Sequence, residues 1–215
     1  MYKKKPFFIV FEGIEGCGKS FQSNKLLKNL KKKKISSLLT REPGGTKSAE
    51  LIRNLILKDY FNKDNKEKFD KYTDTLLYLA ARNEHVKNKI KPSLQKKQVV
   101  ICDRFTDSTL AYQVFGKKVN INLINSVHKY ILNGLKPNLT FILKVSSKTS
   151  RERLNMRRST NRYDNFARSF YTKAQKSFLK ISKNKKNYYV LDSSNNDDSL
   201  EQKIFKIVSK HLKIK

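Results

Sequence analysis

The chain has no tryptophan, and its 215 residues include only two cysteines, four prolines and seven glycines. Two thiols, Cys17 and Cys102, cannot build a disulfide framework and fit a reducing compartment. No repeat or domain linker is visible. Long apolar runs are missing as well: residues 7–11 and 139–143 make runs of about five, against the roughly 20 needed to cross a bilayer, so no membrane segment is expected. The basic stretch at residues 3–5 is followed by an apolar run that stops at Glu12, too short for a signal peptide's core of about 7 to 15 residues. The chain is expected in the cytoplasm. Acidic residues are scarce too, 18 against 48 lysines and arginines, for a net charge of +30.

That excess does not have the pattern of a dedicated nucleic-acid site. Readers of phosphate and base edges favour arginine for its bidentate fork, with aromatics for stacking. Here 38 of the basic residues are lysine and ten arginine. Residues 31–34 put lysines at a helix end, where they meet the negative pole of its dipole, and Lys63, Lys66, Lys68 and Lys71 alternate with Asp64, Glu67 and Asp70. Most of the charge reads as solvated surface, and no dedicated nucleic-acid site is expected. A hydrophobic fraction of 38% with 13 Phe and 10 Tyr is enough for a core, and the length suits one domain spanning 1–215.

Five short β-rich runs, at 7–11, 35–39, 99–102, 139–145 and 188–191, alternate with helical patterns at 20–34, 49–91, 121–133, 149–183 and 199–212. Alternation of this kind predicts right-handed crossovers and a doubly wound α/β fold, a five-stranded parallel sheet flanked by helices. Pro92 and the pair Gly134 and Pro137 read as helix stops. Ligands of such folds bind beyond the carboxyl ends of the strands.

At the first of those ends stand Gly13, Ile14, Glu15, Gly16, Cys17, Gly18, Lys19 and Ser20. They match GxxxxGK followed by Ser or Thr, between a strand and an amphipathic helix, where a phosphate loop belongs. Backbone N–H groups there cradle phosphates, Lys19 reaches the β- and γ-phosphates and Ser20 ligates Mg²⁺, making this an ATP-type loop at 13–20. Cys17 reads as a small filler. GTPases are disfavoured: no Asp stands three residues before any glycine, and Asn62-Lys63-Asp64-Asn65 lacks a final Asp. Half of the arginines, Arg151, Arg153, Arg157, Arg158 and Arg162, fall after the fourth strand, where an arginine-rich lid at about 151–165 could close over the γ-phosphate. His85, His128 and His211 have no metal-ligand spacing, so no zinc site is expected. A small kinase or ATPase remains.

Further segments narrow the choice. They are Phe11-Glu12-Gly13-Ile14-Glu15-Gly16, Thr40-Arg41-Glu42-Pro43-Gly44-Gly45-Thr46, and Leu77-Tyr78-Leu79-Ala80-Ala81-Arg82 with His85. Asp103-Arg104-Phe105-Thr106-Asp107-Ser108 follows with Ala111-Tyr112-Gln113, and then Arg162-Tyr163-Asp164 with Phe170. In this order and spacing the chain resembles, almost end to end, the bacterial thymidylate kinases of the P-loop nucleoside monophosphate kinase family. The resemblance implies transfer of the γ-phosphoryl group of ATP to dTMP, with Mg²⁺ as cofactor, in a homodimer. Kinases of other deoxynucleosides or nucleoside monophosphates, and a basic nucleic-acid-binding P-loop protein, are the alternatives.

Roles follow residue by residue. Arg41 and Arg104, at the ends of adjacent strands, can grip the acceptor phosphate, and Asp103 can act on Mg²⁺ beside Ser20 and orient Arg104. Tyr78 and Arg82 share a helical face; the resemblance implies stacking on thymine and a bond to a base carbonyl, whereas without it Tyr78 reads as a core aromatic. The resemblance also implies base-edge contacts for Ser108 and Gln113, crowding of the sugar's 2′ position by Tyr112, a 3′-hydroxyl contact for Glu15, and a cis peptide before Pro43 in the dTMP pocket. With Gly16 where some members carry arginine, the chain is of the lid-arginine type, and the catalytic set is Lys19, Glu15, Arg104, Arg157, Arg158 and Arg162. The family's strand order places both thiols near the active-site end, which leaves a redox-sensitive site to test.

Overall fold

A computed structural model describes residues 5–58, 68–156, 168–195 and 198–214. Its sheet holds β1 (Phe7–Glu12), β2 (Ser37–Arg41), β3 (Val99–Asp103), β4 (Leu139–Lys144) and β5 (Tyr188–Asp192) in the order β2-β3-β1-β4-β5. Every pairing is parallel. β1 is buried along its whole length, as a central strand covered on both faces must be, which is why it reads as an unbroken apolar run.

Alternation along the strands sends side chains to opposite faces. Phe7, Ile9 and Phe11 pack with Leu26 and Leu30 of α1 (Lys19–Lys32) and with Ile204 and Val208 of α9 (Ser199–Leu212). Phe8 and Val10 point the other way, to Val86, Ile90 and Phe105, with the Phe8 and Phe105 rings edge-on at 5.0 Å. Each fully buried side chain of this size contributes about 1.5–3 kcal/mol. Cys17 belongs to the first cluster and Cys102 to the second. The two thiols therefore lie on opposite faces of the sheet, and burial pushes both above the ordinary thiol range.

Two helical patterns resolve into more pieces than their periodicity shows. The stretch 49–91 contains α2 (Lys47–Leu57), capped by Thr46 Oγ1, and α3 (Lys71–His85), capped by Asp70. From His85 the chain continues through a π-helical turn (Val86–Ile90) into α4 (Lys91–Gln95), so it runs past Pro92 instead of stopping there. The wider turn gives the proline ring room and absorbs the bond its missing N–H cannot make. The stretch 149–183 contains α7 (Ser147–Asn155) and α8 (Arg168–Ser182). α6 (Ile121–Leu132) ends on Asn133 in the left-handed region, φ 45°.

One helical run was not legible. After β3 the chain turns into α5 (Thr106–Thr109) and a π-helical stretch (Leu110–Gly116). Asp107, Ser108, Thr109 and Gln113 in it are all buried, so polar residues interrupt the inward-facing stripe that periodicity needs.

Candidate active site

The register aligns Phe11 with Asp103 and Asp103 with Arg41, so the phosphate loop and the ends of β2 and β3 emerge side by side. The loop is fixed through its carbonyls. Lys19 Nζ donates to Ile14 O at 2.8 Å, Ser150 Oγ to Glu15 O at 2.7 Å, and Ser193 Oγ to Cys17 O at 2.9 Å. In a trans peptide the next N–H points opposite to the carbonyl. Pinning Glu15 O and Cys17 O outward thus turns the N–H groups of Gly16 and Gly18 inward, where an anion is received. Gly16, at φ 70°, lies against α7: a Cβ there would sit 2.5 Å from Ser150 O. A side chain at this position would force the loop or α7 to shift.

Arg153 belongs to this frame. Its Nη2 donates to Ser193 O (2.8 Å) and Ser194 O (3.0 Å), and its Nη1 reaches Gly16 O at 3.5 Å. It joins α7 to the loop after β5. Arg151 is exposed. Arg157, Arg158 and Arg162 lie outside the described residues, as do Tyr163 and Asp164.

Ser20 Oγ donates to Asp103 Oδ2 at 2.5 Å. Mg²⁺ takes one or two carboxylates and keeps its remaining positions for water and phosphate oxygens. One hydroxyl beside one carboxylate at the mouth of the phosphate loop fits that donor set. Among the described residues no cluster of three or more His, Cys, Asp or Glu could hold a metal by protein groups alone.

Arg104 departs from the end of β3 with φ 73°, its N–H bonded to Phe11 O at 2.8 Å. Its Nη1 donates to Gly13 O (2.8 Å) and Ser108 Oγ (3.1 Å), its Nη2 to Glu15 Oε1 (2.7 Å), and the guanidinium lies 5.3 Å from the Tyr112 ring centre. Burial works against its charge, but Glu15, Tyr112 and Asp103 more than compensate. Arg41, at the end of β2, is exposed and bonds Glu50 Oε2 at 3.1 Å. Glu50 also accepts from Gly45 N at 2.8 Å, and despite partial burial this bond and Arg41 hold its carboxyl below the usual range. The Glu42–Pro43 peptide is cis, and Pro43 O accepts from Arg53 Nη1 at 2.6 Å.

Arg53 was missed in the sequence. Burial and the nearby Arg41 charge depress its pKa, while Glu50, 3.9 Å away, and then Tyr78 and Glu15 act the other way. Scarcity was the available signal: outside the segment 151–168 the chain has only four arginines, Arg41, Arg53, Arg82 and Arg104.

Tyr78 is half-buried and outside the three core clusters, so its reading as a core aromatic does not hold. One turn on, Arg82 is 3% exposed. Its Nε donates to Glu42 Oε2 (2.7 Å), Nη1 to Thr109 Oγ1 (2.7 Å) and His128 Nε2 (2.8 Å), and Nη2 to Phe105 O (2.9 Å). Four bonds from five N–H groups leave one Nη2 hydrogen for a ligand. Burial and the Arg82 charge hold His128 down to about 3, so it accepts as a neutral ring. Glu42 is buried, yet Arg82 and His85 keep it ionised; His85 also bonds Thr40 Oγ1 at 2.7 Å.

Ser108 turns toward Glu12 and Arg104, while its neighbour Thr109 faces Arg82. Gln113 is 2% exposed, and its Nε2 has no hydrogen-bond partner among the described residues. An orphaned buried amide costs about 1–3 kcal/mol unless a ligand carbonyl meets it. Tyr112 is buried against Phe170 (5.7 Å between centres) and Phe178 (6.0 Å).

Comparison with known proteins gives one answer. A family model described as thymidylate kinase matches residues 11–204. The thymidylate kinase of Mycoplasma capricolum is 37% identical over 209 residues, 96% of each chain. That of a Geobacillus species is 40% identical over 180 residues, 83% of each. The crystal structure of thymidylate kinase from Ehrlichia chaffeensis superposes with a TM-score of 0.73 at 31% identity, covering 95% of this chain and 99% of that one. With its phosphate loop tied to Arg104 at the centre of a five-stranded parallel sheet, the chain belongs to the thymidylate kinase family.

Proposed function

We propose that the chain transfers the γ-phosphoryl group of ATP to dTMP, giving dTDP and ADP. The observation that carries this reading is the bond from Arg104 to Glu15: a group suited to an acceptor phosphate is fastened to the loop suited to the donor's phosphates. Holding two phosphates in line is most of what such a reaction requires.

Gly13 to Ser20 bind the triphosphate and Lys19 meets its β- and γ-oxygens. Ser20 and Asp103 would hold Mg²⁺, which supplies charge neutralisation between those oxygens when bound. Arg41 and Arg104 take the acceptor phosphate. Each now faces a carboxylate, Glu50 and Glu15, that a phosphate can replace as partner. Glu15 is thereby freed for the sugar's 3′-hydroxyl, and Tyr112 fills the space a 2′-hydroxyl would need. Tyr78 stacks on the base, the spare Nη2 hydrogen of Arg82 and the orphaned Gln113 amide meet its carbonyls, and Pro43 and Ser108 complete the pocket wall. Arg157, Arg158 or Arg162 supplies the charge that stabilises the transition state.

We also propose a homodimer in the cytoplasm. Leu51 and Leu55 on α2 and Leu76 on α3, which pack together as neighbours, expose apolar side chains, Leu51 at 70%, and both thiols are free. No described helix is long and apolar enough to cross a membrane.

The test is a coupled assay with ATP and a panel of dTMP, dUMP, dCMP, dGMP and thymidine. The highest kcat/KM is expected with dTMP, and a clear preference for any other acceptor would sink the substrate assignment.

A further inference from the structure

Glu12 is the last residue of β1, is fully buried, and has no part in the donor and acceptor contacts described above. Its carboxylate collects three bonds from the segment after β3. Oε1 accepts from Phe105 N at 2.8 Å and from Ser108 N at 3.2 Å, and Oε2 accepts from Ser108 Oγ at 2.5 Å. The helical run beginning at Thr106 has no capping bond from the side chain of its own N-cap residue, Phe105. First-turn N–H groups lack intrahelical partners and must find them elsewhere. Glu12, on a different element, supplies two of these bonds.

The same hydroxyl that donates to Glu12 accepts from Arg104 Nη1, and Arg104 returns to Gly13 O and Glu15 Oε1. Residues 12–15 and 104–108 therefore form a closed ring of bonds around the Arg104 guanidinium. Turning the Ser108 hydroxyl toward Glu12 aims its lone pair at Arg104, so the carboxylate fixes both the start of the helix and the direction of the arginine's fork.

We infer that Glu12 is a positioning residue for the acceptor side of the site, holding Arg104 through Ser108 and setting the helix that carries Ser108, Tyr112 and Gln113 against the phosphate loop. This rests on the kinase reading above. The donor side does not depend on Glu12 in the same way, since the loop's carbonyls are held by Lys19, Ser150 and Ser193. The effect of removing it should fall on one substrate.

Glu12→Gln keeps the size but puts an amide N–H₂ opposite the Ser108 hydroxyl, and it is assayed above about pH 8, where Glu12 is ionised and an acceptor stands there. The expected result is a KM for dTMP raised about tenfold or more, with the KM for ATP within about twofold of wild type. If the effect runs through the Ser108 bond, Glu12→Gln/Ser108→Ala should be no worse than the worse single variant. Equal rises in both KM values, a loss confined to thermal stability, or additive losses in the double variant would overturn the inference. Should Glu12→Gln fail to fold, Glu12→Asp, which keeps the carboxyl group but shortens the reach, is held to the same split between substrates. Wild-type turnover separates the two claims: no dTMP phosphorylation by the intact chain defeats the kinase reading, whereas an active wild type with unselective variants defeats only the role of Glu12.

Discussion

The two halves of the site are built from different materials. The donor half is a backbone object: three carbonyls of the phosphate loop are pinned by Lys19, Ser150 and Ser193, and Gly16 is pressed against α7 too closely for a side chain. The acceptor half is a charge object. Glu15, Glu42 and Glu50 are interleaved with Arg41, Arg53, Arg82 and Arg104 in a chain that has only 18 acidic residues and ten arginines. A shape that must meet phosphates common to every ATP can be fixed by backbone. A pocket that must tell one nucleotide from another needs directed side-chain donors, and those must be held by counter-charges.

The contrast can be broken from either side, most severely at the buried pair. Arg82→Ala leaves buried Glu42 without its arginine, with His85 as the remaining partner, and should cost about 3–5 kcal/mol of stability, read by chemical denaturation; a cost below about 1 kcal/mol would show that Arg82 is not the hub described. Gly16→Ala, which forces the loop or α7 to shift, should lower stability and reduce kcat/KM for ATP by about a hundredfold, since a displacement of about 1 Å near the chemistry is worth that much. Unchanged kinetics would mean that α7 gives way freely.

Proton linkage sharpens the difference, because the acceptor half contains a buried carboxyl and a buried imidazole whose charge conflicts with burial. Glu12 is pushed up to about 8 from its ordinary 4.5 by burial and by Asp107, against the pull of Ser108, Arg104 and the Phe105 N–H. The folded state then binds the proton more tightly, so the stability it confers is present below pH 4.5 and lost as pH rises through about 8. His128, held down to about 3 from 6.5 by burial and Arg82, acts with the opposite sign: its contribution is present above pH 6.5 and lost as pH falls toward 3. Thermal midpoints should therefore show a falling alkaline limb that flattens in Glu12→Gln and a falling acid limb that flattens in His128→Asn. Limbs that keep their slopes in the variants would remove these two groups from the account. The smallest effect is expected for Ser193→Ala, about 1 kcal/mol or less from one hydrogen bond, felt in the KM for ATP and not for dTMP.

The same division explains what could be read from the sequence. The donor half was legible because a phosphate loop needs fixed residue types at fixed spacing, and the strands around it are apolar enough to announce themselves. Their ends shifted by two residues at most, as at β2, where Arg41 continues the pairing with Asp103. The acceptor half was legible only where it resembles a known family. Arg53 and Thr109 carry no local pattern, and Ser108 faces Glu12, an orientation that depends on a helix whose buried polar residues hide it. Glu12 looked like the end of an apolar strand, and its function as a cap exists only once β3 lies beside β1. Pro92 misled for a related reason: a π-helical turn can absorb a proline that local rules treat as a stop.

The claim that joins the halves is that they pass a phosphoryl group between two nucleotides. ³¹P NMR of the chain with MgATP and dTMP observes this directly. The account predicts that dTDP and ADP appear together in equal amounts, with no inorganic phosphate released at a comparable rate. Inorganic phosphate with dTMP left unchanged would contradict it.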